Sequence, residues 1–174
     1  MKKIGLRTRG WLKGFHILSA GVWIGAGICM MVLSFLKGHI SNGAELRTID
    51  MSVKVIDDFV LIPAANGCLI SGIMFSAFTN WGFFKYRWIT MKYIISIFSI
   101  LFGTFFLGPW VNGMEKISAL EGLSALQNST YLNYAAMNRS LGLLVIIALI
   151  FVSFISVFKP WNKKEARKPK AVTN

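Results

Sequence analysis

The sequence predicts an all-α fold: a four-helix integral membrane bundle with both termini in the cytoplasm. Three observations predict it. Only 15% of the residues are charged while 55% are hydrophobic, and the mean hydropathy is +0.58; a soluble domain carries about 25% charged residues. Four apolar runs, at about 11–36, 59–79, 88–108 and 140–158, come close to or exceed the roughly 20 residues that cross a bilayer. The basic residues are unevenly placed. Of the 19 Lys and Arg, 14 lie in the N-terminal segment, the 80–92 turn and the C-terminal tail, and five (Lys37, Arg47, Lys54, Lys116 and Arg139) lie in the other two connections. Positive charge is retained on the cytoplasmic side, and four helices satisfy every segment. Residues 1–174 therefore read as a single membrane domain of a bacterial cytoplasmic membrane, closing in a basic tail at 159–174.

The net charge of +12 does not imply nucleic acid. Much of it sits in the two termini, as flanks that lie on an anionic leaflet, so the expected partner is the lipid bilayer. Cys29 and Cys68 both fall in apolar runs, outside any metal-binding or secreted-disulfide spacing, and read as small packing residues. The basic start and long apolar run resemble a signal peptide, but the run is too long and has no clear cleavage site, so it reads as a retained first helix.

Helix one, 11–36, contains Gly21-x-x-x-Gly25, a spacing that lets helices approach closely in lipid. His16, Ala20, Trp23 and Gly27 share one face at helical spacing. Residues 37–58 read as a polar connection in which Ala44 to Ile56 forms a short surface helix with Leu46, Ile49, Val53 and Ile56 on one side. Asp57 and Asp58 are expected to start helix two, where acidic groups suit the helix dipole, and Pro63 then falls in its first turns. Helix three, 88–108, places Lys92, Ser96, Ser99 and Gly103 on one face, and Pro109-Trp110 is expected to end it. Residues 111–138 read as the longest polar connection, with a surface helix from Met114 to Leu126. Helix four, 140–158, has no charge and reads as lipid-facing and structural.

The candidate chemistry lies in two residues. His16 is the one imidazole within an apolar run, and Lys92 is the basic residue inside another. With both termini inside, His16 lies about five residues into helix one and Lys92 about four into helix three, so at about 1.5 Å per residue their depths agree within a turn. An ionisable group in a spanning helix is costly unless it faces the interior with a partner. His16 has three readings: a hydrogen-bonded interface residue, a haem-iron ligand, or a copper or proton site. Lys92 either snorkels to the headgroups or offers a functional amine. Met30, Met31, His39, Met51, Met114 and Met137 lie towards the outer side and offer soft ligands for copper, although core packing also uses methionine. Phosphate-loop, zinc-protease and nucleophile-elbow motifs are absent. The spanning runs hold no acidic residue, which argues against a carboxylate-relay transporter.

HILSAGVWIGAG in helix one, DDFVLIPAANGCLISG entering helix two and WGFFKYRWITMKYIISIF into helix three resemble an uncharacterised bacterial family of predicted integral membrane proteins. That family is similar to the copper-resistance D domain and, more distantly, to the membrane-embedded bacterial protoporphyrinogen oxidase. The resemblance covers about residues 10–115 and rests on the helix-one histidine and on Trp88-x-x-x-Lys92. It implies haem b at His16 and Lys92, with His16 as the metal ligand. CMMVLSFLKGH follows the helix-one run where the oxidase has an Arg- and Tyr-rich stretch, so the porphyrinogen reaction does not carry over. The expectation is a b-haem-binding or redox-linked membrane protein, with a membrane redox partner or a homo-oligomer. The alternatives are a copper-handling membrane protein and a non-enzymatic subunit of a membrane complex.

Overall fold

The four apolar runs become four long helical rods, each longer than the run that predicts it. A computed structural model describes residues 5–79 and 82–159. Lys2 and Lys3, residues 80–81 of the turn and the basic tail beyond Lys159 lie outside the described residues. The first rod is α1 (Leu6–Leu36), extended by a 3₁₀ turn at Lys37–His39. The second joins α2 (Gly43–Ile56) to α3 (Ile62–Phe78) through a wide π-helical turn at Asp57–Leu61. The third joins α4 (Arg87–Phe102) to α5 (Gly108–Glu121) through another π-helical turn at Gly103–Leu107, and a 3₁₀ segment, Gly122–Gln127, follows. The fourth is α6 (Ser129–Phe158).

These rods span 34, 36, 41 and 30 residues and are apolar enough to cross a membrane. At about 1.5 Å per residue, 36 residues reach about 54 Å, well beyond about 30 Å of hydrocarbon. An even number of crossings puts residues 5 and 159 on one side, the termini side. The excess length projects from the other, the far side.

Two expected helix ends are thus helix interiors. Pro63 does not sit in a first turn and Pro109 does not end its helix, because the chain widens before each one. A mid-helix proline lacks an N–H and its ring clashes with the carbonyl four residues back. The π turns relieve that clash by moving the bond one residue further: Ile62 N–H bonds to the Asp57 carbonyl and Gly108 N–H to the Gly103 carbonyl. The two sites share a pattern, Phe59-Val60-Leu61-Ile62-Pro63 and Phe105-Phe106-Leu107-Gly108-Pro109. The correction has a chemical consequence. Asp57 and Asp58 do not begin a helix; they lie inside a continuous one, so an acidic group does enter the bundle.

Within the membrane α1 packs against α3 and α6, and α4 against α6, while α3 and α4 touch only lightly. Trp23, Ala64, Ala65, Cys68 and Leu149 form the central core, and Trp88, Ile89 and Ile155 form a second cluster towards the termini. Helix α6 is not merely lipid-facing: Ile146, Leu149, Val152 and Ile155 are all buried, a stripe at a spacing of three residues. Gly21 and Gly25 are not contact points either, since a side chain at either would meet nothing within 4 Å. The close approach is at Gly27, where an added Cβ would lie 3.2 Å from Ile146.

On the far side, α2, α5 and the start of α6 form a cap around Leu46, Val53, Val111, Met114, Ala125 and Tyr131. The expected surface helices at 44–56 and 114–126 exist in part, but they are continuous with membrane helices and packed together. Asn42 caps α2 by accepting from Glu45 N–H at 3.0 Å, and Glu45 accepts from Ser41 N–H at 2.7 Å, a variant of the capping box. Asn128 caps α6 by accepting from Thr130 N–H at 2.9 Å.

Gly43 and Gly122 bring the start of α2 against the 3₁₀ segment. A Cβ on Gly43 would stand 2.7 Å from the Leu123 backbone nitrogen and 2.9 Å from Gly122 Cα. Backbone cannot rotate aside as a side-chain tip can. Gly43→Ala is therefore expected to cost about 1–3 kcal/mol, the usual range for overpacking, and Gly38→Ala, which meets nothing within 4 Å, much less. Thermal unfolding of both variants in one detergent checks this; equal midpoints would contradict the close packing of the cap.

Candidate functional site

His16 sits on α1 one turn before Ala20 and looks towards α3. It is half-buried, edge-on to Phe75 with ring centroids 5.9 Å apart. Its Nδ1 lies 2.8 Å from Ser71 Oγ and 3.1 Å from the Cys68 carbonyl oxygen. The tautomer follows from the network. The Cys68 carbonyl can only accept, so Nδ1 carries the proton. The Ser71 hydroxyl gives its own proton to the Gly67 carbonyl, 2.7 Å away, and receives from the imidazole. Nε2 is then the lone-pair nitrogen, and no hydrogen bond to it is made among the described residues. Gly72 allows the approach: a Cβ there would already be 3.6 Å from His16 Cε1.

Lys92, on α4, reaches the same region. Its charge acts on both the His16 imidazole and the Cys68 thiol, so the two residues share a depth and a neighbourhood as their positions predict. Lys92 makes no hydrogen bond or ion pair among the described residues. Next to it, Tyr93 donates to the Gly72 carbonyl at 2.6 Å and lies 2.9 Å from Ser76 Oγ, pinning α4 to the same turns of α3 that hold His16. Ser71, Ser76 and Tyr93 were not singled out for this role by sequence. Their signal was weak but present: two hydroxyls in an apolar α3 at about helical spacing, and a phenol beside the candidate lysine.

The remaining candidates do not converge. Met30 and Met31 border a central cavity. Met114 receives the Lys37 ammonium on its sulfur at 3.7 Å. His39 lines an open groove at the end of α1, and Met51 and Met137 are exposed. Cys29 is exposed and Cys68 buried, both free thiols. Among the described residues no three of His, Cys, Asp and Glu come together to hold a metal ion.

Across residues 11–160 the sequence matches the family described as predicted integral membrane protein (DUF2269). The chain belongs to this family. The match covers every apolar run and both residues of the site, and together with four helices long enough to cross a bilayer it establishes a multi-pass integral membrane protein. No curated protein and no solved structure matches the chain.

Proposed function

We propose that the protein binds b-type haem through His16, with Lys92 at the same site, and that it serves a redox-linked role near the cytoplasmic face of a bacterial cytoplasmic membrane. The observation that carries this reading is the state of the His16 ring. A metal-binding histidine usually donates its other N–H to a backbone carbonyl or a polar group, which fixes tautomer and orientation. His16 does this with the Cys68 carbonyl and Ser71, leaving Nε2 as the donor.

The donor set fits a porphyrin better than a bare ion. One imidazole and one amine, His16 and Lys92, would suffice to hold a haem iron, whereas copper or zinc takes three or four protein ligands. No three of His, Cys, Asp and Glu assemble among the described residues. Bound haem would supply one-electron chemistry. The chain's own residues would do the rest: α1 presents the imidazole, Ser71 and Cys68 orient it, and Tyr93 holds α4 so that Lys92 stays beside it. The split of basic residues supports placing the termini side, and hence this site, towards the cytoplasm.

The test is a visible spectrum of protein purified from haem-sufficient cells. The wild type is expected to show a Soret band. His16→Ala is expected to lose most of it and Lys92→Ala to weaken or shift it, with both variants still monodisperse in detergent. No Soret band in the wild type after haem reconstitution, or unchanged spectra in both variants, would overturn the proposal.

A further inference from the structure

A second polar site lies deeper in the bundle, apart from His16. A cavity of about 70 Å³ lies between the helices, bordered by Trp23, Ser99, Gly103, Asp57 and Asn138 among others. By volume it holds an ion with a few waters, since one water needs about 10–15 Å³ by this measure. Both π-helical turns face it: the first contributes Asp57 and Leu61, the second Gly103 and Leu107. The turns lie against each other, because a Cβ on Gly108 would be 3.8 Å from Asp57 Oδ2.

Three features make this a site and not a packing fault. The first is charge. Asp57 makes no hydrogen bond or ion pair among the described residues, and the charges that act on it are those of Asp58 and Lys54. Lys54 is already committed, 2.8 Å from Asp58 and 2.5 Å from Asn112 Oδ1. One positive charge against two carboxylates leaves a single negative charge unbalanced. The second is Ser99, only 4% exposed. Serines inside helices commonly return their hydroxyl to the carbonyl four residues back, and Ser34, Ser52, Ser71, Ser153 and Ser156 do so here. Ser99 does not: its hydroxyl has no partner among the described residues, and the side chain borders the cavity. The third is Asn138, whose amide nitrogen donates to the Leu107 carbonyl at 3.4 Å, leaving Oδ1 as an acceptor.

A carboxylate, a hydroxyl and an amide oxygen are hard oxygen donors, the set that binds alkali and alkaline-earth cations. We propose that this cavity is a binding site for one small monovalent cation, with Asp57 supplying the charge and Ser99 and Asn138 the neutral oxygens, some through water. The monovalent class follows from the single unbalanced carboxylate: a divalent ion would leave net positive charge in a desolvated pocket, at high cost.

The experiment is thermal unfolding of purified protein in detergent at fixed ionic strength and pH near 8, titrating NaCl or KCl against choline chloride. The wild type is expected to gain several degrees with a saturating dependence on Na⁺ or K⁺, and the two salts identify the ion. Asp57→Asn is expected to lose that dependence whatever its own midpoint, and Ser99→Ala to raise the half-saturating concentration severalfold. If Asp57→Asn does not fold, the Ser99→Ala shift alone still decides. Equal midpoints of the wild type in Na⁺, K⁺ and choline would overturn the proposal, as they would if Asp57 simply holds a proton. So would a cation response unchanged in Asp57→Asn or Ser99→Ala. The readout is independent of any visible spectrum.

Discussion

Replacing Lys37 by methionine is expected to destabilise the protein by about 3–5 kcal/mol, the usual cost of removing one partner of a buried ion pair. Lys37 ends α1 and belongs by sequence to a polar connection, yet its side chain is 7% exposed and that of Asp50 1%. The ammonium lies 2.5 Å from Asp50 Oδ1, and among the described residues that oxygen takes no hydrogen bond from another group. The other carboxylate oxygen accepts from the Tyr131 hydroxyl at 3.0 Å. Tyr131 also places its ring 5.5 Å from the ammonium. One pair thereby ties α1, α2 and α6 at the base of the cap. Methionine fills similar volume but leaves Asp50 charged, buried and short of its cation. The cost should fall on the orphaned carboxylate and not on lost packing. The double variant Lys37→Met with Asp50→Leu is accordingly expected to recover most of the loss, because well-packed apolar residues replace buried ion pairs at little cost. Unfolding free energies of the single and double variants, measured by a denaturant titration in micelles, form the cycle that decides. A single variant within about 1 kcal/mol of wild type would show that the pair is solvated.

Leu149→Ala is expected to cost about 2–5 kcal/mol, as for large-to-small changes in a packed core, and Gly25→Leu close to nothing. Leu149 is 5% exposed and sits with Trp23, Ala64, Ala65 and Cys68 where α1, α3 and α6 meet. Lipid tails are as apolar as leucine, so what truncation loses there is interdigitated contact, not transfer from water. Gly25 points into open space, and a leucine there adds one more side chain to the lipid face. The glycine spacing of helix one had suggested the opposite ranking. Thermal midpoints of the two variants in the same detergent check it, and a larger loss in Gly25→Leu would mean that this face is covered in solution.

The pair of helix faces explains that reversal. A run such as 140–158 is apolar all round, and so is most of α1, because both the core and the lipid accept the same residues. Periodicity therefore carries little information about which side is inward wherever the chain is uniformly apolar. It does carry information where a polar group interrupts. His16, Ala20, Trp23 and Gly27 were read on one inward face, and Trp23 is buried. Lys92, Ser96, Ser99 and Gly103 were read likewise, and Ser99 and Gly103 border the cavity. The shared depth of His16 and Lys92 was readable too, since helical rise and the basic-residue count place both near one interface.

What the sequence by itself determined is the class of protein and the polar faces: four crossings, an interior histidine and lysine, and a stripe of small polar residues above the lysine. Those follow from the cost of placing charge and unsatisfied backbone in hydrocarbon, a cost that each segment bears alone. Only the tertiary structure decided what those groups meet. Ser71 and the Cys68 carbonyl orient His16, Asp50 takes Lys37, and Asp57 turns out to line a cavity instead of opening a helix. Both prolines read as boundaries because locally a proline is one. Neighbouring helices made the wider π turns tolerable, and that choice carried two carboxylates from an expected helix start into the wall of the bundle.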